Sequence, residues 1–308
     1  MNWKLILYLG FVFVSFGNIS AQESGEKVVL NQLEIGHDND FFLLTDRYYS
    51  SGIFLGYSRK LRKGVFSNTS EQLTFNLGHE VFTPNNIDTE LIEEMDRLYA
   101  GYLRLNSTWN TVKGNSLFKV TTQLGMVGPA SGAGAFQRWY HNAIVRWPTP
   151  SWKHELDNEF HANLLLGYHK EWKLLPVPFG VHVAVSAEIA AGTKDVYAQP
   201  ELALFFGRRN KMSETIAYNR IGSTQREIFF ALKVGYRWVG ANAFLEEAPF
   251  GENSNFSIER KNTILNLGFD FRHRYGKNDY KIGYRFLTRE ANTVTDHQYL
   301  TFAYGRSF

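Results

Sequence analysis

The sequence lacks cysteine altogether, carries little net charge and has no long apolar run in its body. Without cysteine there are no disulfides, no thiol nucleophile and no thiolate metal site. A formal net charge of +3 over 308 residues is too small to indicate nucleic-acid binding. No segment reaches about 18 consecutive apolar residues, and the mean hydropathy is −0.29. These features exclude a helical membrane protein.

Aromatic residues are abundant instead. They make up 16% of the chain, with 25 Phe, 16 Tyr and 7 Trp. This content is high for a soluble domain and suits the aromatic girdles that β-barrels place at the two faces of a bilayer. A barrel distributes its apolar residues in alternation, so a low mean hydropathy is compatible with a membrane location.

The first 21 residues have the features of a secretory signal peptide. Lys4 supplies a positive charge, residues 5–16 are largely apolar, and Ala21 offers a small residue before a cut. The alternative is a transmembrane anchor, but about a dozen apolar residues are too few to span a bilayer as a helix. We therefore expect export, with residues 22–308 forming a single domain.

Alternation with a period of two recurs along the rest of the chain, which is the pattern of half-buried strands. It is clear at Leu73–Leu77, Val181–Val185, Val234–Trp238, Leu265–Phe271, Tyr280–Phe286 and Leu300–Tyr304. About a dozen such strands, without compensating helices, predict an all-β fold: an antiparallel transmembrane β-barrel. Polar residues such as Asp270 would then face the barrel interior. The terminal Phe308, after an aromatic strand, resembles the insertion signal of outer-membrane barrels.

A long insertion interrupts the strands at residues 129–159. It opens with a turn-rich Pro-Ala-Ser-Gly run, and residues 135–147 could form a short helix that ends before Pro148. On this helix Gln137 and His141 lie four residues apart and share a face. A histidine base works near neutral pH, and large insertions are often functional, so His141 is a candidate catalytic residue.

A second polar stretch follows the first predicted strand. Asn39 and Asp40 place an amide beside a carboxylate, with Asp46 six residues later. Oxygen ligands of this kind favour Ca²⁺, although the spacing is not that of an EF-hand, and an Asx-rich turn is the alternative. Ser50 and Ser51 lack the G-x-S-x-G context of a serine nucleophile, and no H-E-x-x-H motif is present.

The order and spacing of several segments resemble the outer-membrane lipid A 3′-O-deacylase family. These segments are Asn39-Asp40, Tyr49-Ser50-Ser51-Gly52, Phe82-Thr83-Pro84, Asp96-Arg97 with Tyr99-Ala100, Gly125–Pro129, Gln137 with His141, and Trp152, Leu156 and Asn158. The likeness covers about residues 33–160 well and the remainder only as barrel strands. No single segment is specific, but the combined spacing is.

The resemblance implies a twelve-stranded barrel in the Gram-negative outer membrane. It also implies a calcium-dependent hydrolase that removes the 3′-acyloxyacyl group from lipid A. Its functional positions fall on Asn39, Asp40, Ser50 and His141, with Gln137 at a neighbouring position. Some members carry an acid six residues after the histidine, where this chain has Trp147. If that acid is needed, Glu155 or Glu159 would have to replace it.

The expected mechanism is attack on an acyl ester by water that His141 has deprotonated. Ca²⁺ held by Asp40, Asn39 and Glu159 would stabilise the oxyanion, and Ser50 would orient the reactants. Arg47 and Arg138 are candidates for binding the lipid A phosphates. We expect a monomer with no nucleic-acid partner. The alternatives are a porin-like barrel without catalysis, an outer-membrane phospholipase with a serine nucleophile, and a soluble secreted β-sandwich.

Overall fold

A computed structural model of the protein describes residues 28–43, 45–146, 149–175, 179–246 and 258–308, and the side chain of Val145 is not described. The predicted signal peptide at residues 1–21 and the departure at Trp147 lie outside the described residues. These residues contain twelve strands and one α-helix.

Twelve antiparallel strands form one closed barrel, in which each strand pairs with its sequence neighbours and the first pairs with the last. The strands are β1 Asn31–Asn39, β2 Tyr48–Lys60, β3 Ser70–Thr83, β4 Ala100–Lys113, β5 Ser116–Val127, β6 Glu159–Leu175, β7 Gly180–Gly192, β8 Asp195–Arg208, β9 Glu227–Asn242, β10 Thr263–Tyr275, β11 Asn278–Leu287 and β12 His297–Ser307. The predicted all-β barrel of about twelve strands is confirmed, and the soluble sandwich alternative is excluded.

The alternation along each strand separates an apolar outer wall from a polar interior. On β10, Leu267 and Phe269 are 37% and 40% exposed, whereas Asp270 between Phe269 and Phe271 is 1% exposed. The Asp270 carboxylate accepts from Arg285 at 2.6 Å and lies 3.0 Å from the Lys233 ammonium. The prediction that polar residues of this strand face inward is therefore confirmed.

One short helix stands outside the strand pattern. Helix α1 spans Ala133–Tyr140 and continues as a single π-helical segment at His141–Val145, in the connection between β5 and β6. The sequence predicted this helix over residues 135–147. It begins two residues earlier than predicted because Gly132 adopts a left-handed conformation (φ 76°) directly before it. No helix in the described residues is long and apolar enough to cross a membrane.

The end of the barrel where β1 begins is closed by the connection between β8 and β9, residues 209–226. Ile216 packs against inward-facing residues of β7, β8 and β9, including Phe205. Asn219 bonds residues of two strands on other sides of the barrel, Gln72 on β3 and Arg272 on β10. The connection therefore crosses the barrel mouth, and the interior is filled with side chains at this end.

Arg274 ties this connection to the wall. Its guanidinium donates to both carboxylate oxygens of Asp279 at 2.7 Å and to the backbone carbonyls of Glu214 and Arg220 at 2.7 and 2.9 Å. The Glu227 carboxylate lies 3.4 Å away. Two buried acids and two backbone carbonyls thus contact one cation that is 1% exposed.

We predict that Arg274→Met destabilises the barrel by about 3–5 kcal/mol, because it leaves buried carboxylates without a counter-charge. Thermal unfolding followed by circular dichroism measures the loss. Arg306→Met is the matched control, since Arg306 is an exposed arginine at the same end that donates to Asn278. Equal melting temperatures for the two variants would contradict this account of the Arg274 contacts.

Candidate active site

The two polar stretches meet because of strand direction. Strands β1, β3 and β5 run in the same direction in an antiparallel barrel, so all three end at the same rim. The segment after β1, residues 40–47, and the insertion after β5, residues 128–158, leave the wall at this rim. Residues about one hundred positions apart in sequence are thereby placed side by side.

The polar residues where these two segments meet lie on the outer face of the wall. On β1, Leu33 and Ile35 are exposed on the lipid side, and Asn39 continues that side at the rim. On β3, Leu77 is exposed on the same side, and His79 follows it. Polar side chains on a lipid-facing wall are costly unless other groups shield and bond them.

Helix α1 provides this shield by packing on the outer wall at the rim. Ala133 lies in one buried cluster with Val81 of β3 and Trp152. Gly101 of β4 faces the helix, and a Cβ at this position would overlap Ala133 and Ser131. The close approach of helix and wall therefore requires glycine here.

Gln137 has a defined partner in this packing. Its side-chain carbonyl accepts the indole N–H of Trp152 at 2.6 Å, and Trp152 stacks on Tyr99 with ring centroids 4.9 Å apart. Both Gln137 and His141 are 5% exposed, so they share the buried face of the helix, as the four-residue spacing predicted. Gln137 fixes the helix that carries His141.

Asp40 is buried within its own loop. One oxygen of its carboxylate, Oδ2, accepts from the Thr45 hydroxyl at 2.9 Å and from the Arg47 backbone N–H at 3.0 Å. The other oxygen, Oδ1, has no solvent exposure and no hydrogen-bond partner in the described structure. Burial raises the pKa of this carboxyl to about 7. A cation at Oδ1 would favour the charged form.

Asn39 forms the turn that the sequence allowed. Its side-chain oxygen accepts the Phe41 backbone N–H at 2.7 Å, and the Leu43 N–H bonds the Asp40 carbonyl at 2.8 Å. The Asx-turn alternative and the ligand role are compatible, because an amide oxygen retains a second lone pair.

Asp46 joins the two stretches. Its Oδ1 accepts the Ser50 hydroxyl at 2.7 Å, and its Oδ2 lies 3.5 Å from Nε2 of His141. Burial raises the pKa of the Asp46 carboxyl, while the Ser50 hydrogen bond and the His141 charge oppose that shift. From the sequence alone, Asp46 was recognisable only as an acid near Asn39 and Asp40. Its position four residues before Ser50, in the same polar loop, was the signal available.

The two predicted substrate-binding arginines lie near this cluster with different surroundings. The Arg47 guanidinium donates to the Asn85 side chain at 2.9 Å and lies over the Tyr48 ring. Arg138 is exposed on helix α1, and its charge acts on Glu155. Neither contact involves Asp46 or His141.

The two glutamates considered as replacement acids have other partners in the structure. Glu155 is bonded by the Gly101 backbone, and burial raises the pKa of its carboxyl to about 7. Glu159 lies 3.3 Å from the ring of His161, which continues the inward-facing side of β6. Glu159, predicted from the sequence as a metal ligand with Asn39 and Asp40, therefore lies on the inward-facing side of the wall, whereas Asn39 continues the lipid side.

The described residues contain no group of three or more His, Asp and Glu side chains arranged to hold a metal. The bare, buried Oδ1 of Asp40 nevertheless fits a hard cation, which binds carboxylate, amide, carbonyl and water oxygens together. Asp40 would hold such an ion, with Asn39 beside it.

Comparison with known proteins decides the family. A family described as "Outer membrane protein LpxR" matches residues 5–307. The chain belongs to the LpxR family. Among solved structures, LpxR from Salmonella typhimurium has a TM-score of 0.77 at 18% identity, covering 90% of this chain and all of that one. The β domain of the Bordetella autotransporter Brka gives a TM-score of 0.48 at 10% identity, covering 91% and 99%. No curated protein matches in sequence.

We predict that Gly101→Ala displaces helix α1 from the wall and lowers the activity of this LpxR-family protein at least about tenfold, because a misplacement of about 1 Å is costly for catalysis. Hydrolysis of purified lipid A in detergent measures the rate. Gly36→Ala is the control, since a Cβ there meets its neighbours at 3.5 Å or more. Wild-type activity in Gly101→Ala would show that the close helix contact is unnecessary.

Proposed function

We propose that this protein is a calcium-dependent outer-membrane ester hydrolase that removes the 3′-acyloxyacyl group of lipid A, acting as a monomer. Membership of the LpxR family supports the lipid A substrate at the level of the family. The observation that carries the proposal is the contact of His141 with Asp46, beside Asp40, on the lipid-facing side of the wall.

The position of the site suits a lipid substrate. Three connections at the site end, residues 84–99, 128–158 and 243–262, are long, whereas one connection at the opposite end, residues 209–226, is long. Outer-membrane barrels carry their longer loops outside the cell. A site on the outer wall at that rim faces the outer leaflet, so an acyl chain can stay in lipid while its ester reaches His141.

The chain's own residues account for the chemistry as follows. His141 accepts a proton from water, and this water attacks the ester carbonyl carbon. The proton on His141 is then delivered to the departing sugar oxygen, which leaves the acyl group as a carboxylic acid. Ser50 holds the carboxylate that faces His141, and helix α1 keeps bulk water and lipid away from the imidazole.

Calcium bound at Asp40 would supply positive charge for the oxyanion that forms during attack. Asp40 offers its bare Oδ1, Asn39 the second lone pair of its amide oxygen, and backbone carbonyls and water the remaining ligands. Arg47 follows strand β1 and Arg138 lies on helix α1, both at the site end of the barrel. They are our candidates for binding the lipid A phosphates.

Two alternatives predict different results. A porin-like barrel needs an open interior, but the 209–226 connection crosses one mouth. A phospholipase with Ser50 as nucleophile needs a base that accepts the proton of the Ser50 hydroxyl. Because that hydroxyl donates to Asp46, the Asp46 carboxylate would have to be the base. Trapping by a serine-directed reagent, with loss of glycerophospholipid acyl chains, would favour the phospholipase.

We predict that cells producing the intact chain show lipid A reduced in mass by one acyloxyacyl group, and that His141→Ala abolishes this change. A calcium chelator should abolish it as well. Mass spectrometry of extracted lipid A measures the result. His154→Ala is the matched control, because His154 is an exposed histidine of the same insertion that contacts the Glu90 carbonyl. Identical spectra for the intact chain and His141→Ala would instead support the alternative of a barrel without catalytic activity.

We predict that Asp40→Asn raises the calcium concentration needed for half-maximal activity about tenfold or more, since the substitution removes the charge from the bare oxygen. A calcium titration of the purified enzyme checks this. Asp38→Asn serves as control, because the Asp38 carboxylate faces the interior and accepts the Tyr49 hydroxyl at 2.9 Å. An equal shift in both variants would argue against a cation at Asp40.

A further inference from the structure

We propose that Asp46 is the positioning residue of His141, facing its imidazole with a carboxylate that stabilises the imidazolium during ester hydrolysis. This inference rests on the proposed function and assigns a role to a residue outside the family positions considered above. It stands on the geometry of one carboxylate that contacts two other members of the site through different oxygens.

The carboxylate is oriented by its surroundings. Its Oδ1 accepts the Ser50 hydroxyl at 2.7 Å, and the backbone carbonyl of Asp46 accepts from the buried Thr83 hydroxyl at 3.4 Å. These two contacts come from the start of β2 and the end of β3, so one strand holds a carboxylate oxygen of Asp46 and the other holds its backbone. The remaining oxygen, Oδ2, is directed at His141.

The contact with His141 is an ion pair once the ring is protonated. Nε2 of the ring lies 3.5 Å from Oδ2 of Asp46, a distance at which a carboxylate favours the charged form of an imidazole. When His141 becomes positively charged, the carboxylate 3.5 Å away stabilises that charge without moving.

The same geometry defines the role of Ser50. Its hydroxyl hydrogen points to Asp46, so Ser50 acts as a support for the carboxylate. The two glutamates near the insertion have partners of their own. Glu155 is bonded by the backbone of Gly101, and Glu159 pairs with His161. Asp46 lies at ion-pair distance from His141.

The test compares Asp46→Asn, Asp46→Ala and Asp46→Glu in the purified full chain acting on lipid A in detergent. Asparagine keeps the shape and can still accept from Ser50, but it loses the charge and can present N–H to the imidazole. We expect Asp46→Asn and Asp46→Ala each to lower kcat about 100-fold or more, with KM within about threefold of wild type. Asp46→Glu should regain part of kcat.

A merely structural role gives a different pattern, in which Asp46→Asn keeps nearly full kcat and only Asp46→Ala fails. That pattern would overturn the proposal. The proposal would also be overturned if Asp46→Asn had a normal kcat at saturating calcium but required a tenfold higher calcium concentration. Asp46 would then be a metal ligand. Asp96→Asn is the matched control, because Asp96 accepts from Tyr48 and the Asn85 backbone in the neighbouring loops.

The outcome for the wild-type chain separates the two proposals. If the wild type does not hydrolyse lipid A under any calcium concentration, the proposed function fails. If the wild type is active and Asp46→Asn is equally active, the proposed function stands and the positioning role of Asp46 is wrong.

Discussion

The close packing of helix α1 on the outer wall is the interaction on which the site depends. A strand that faces lipid cannot present carboxylates and imidazoles to hydrocarbon without a large cost. At the rim, Gly101 lets the helix approach until Ala133 meets Val81, and Trp152 holds Gln137 from the other side. The polar groups then bond one another in a shielded space that still borders the membrane.

The barrel interior serves a different purpose. Its charges are paired across strands, as at Asp270 with Lys233 and Arg285, and Arg274 secures the connection that closes the far mouth. Chemistry on the outer wall therefore needs no channel. The molecule thus combines an interior filled with paired charges and an outer rim that helix α1 shields.

The site combines residues from a local turn and from a helix that is distant in sequence. The loop after β1 makes Asp40 bare at one oxygen because its own turn satisfies the other. His141 comes from a connection two hairpins away, and Asp46 links it to that loop. The direction of the strands thus brings the two segments to the same rim, and the contact between Asp46 and His141 then joins them.

The sequence by itself determined the barrel, because the period-two alternation is a local property that each strand carries alone. It also determined the helix with Gln137 and His141 on one face, since that spacing is equally local. Only the tertiary structure decided which acids reach the histidine. Asp46 meets His141, whereas Glu159 turns inward, because the side of the wall on which a residue lies depends on strand pairing and register. Contacts across about a hundred residues have no periodic signature in one sequence.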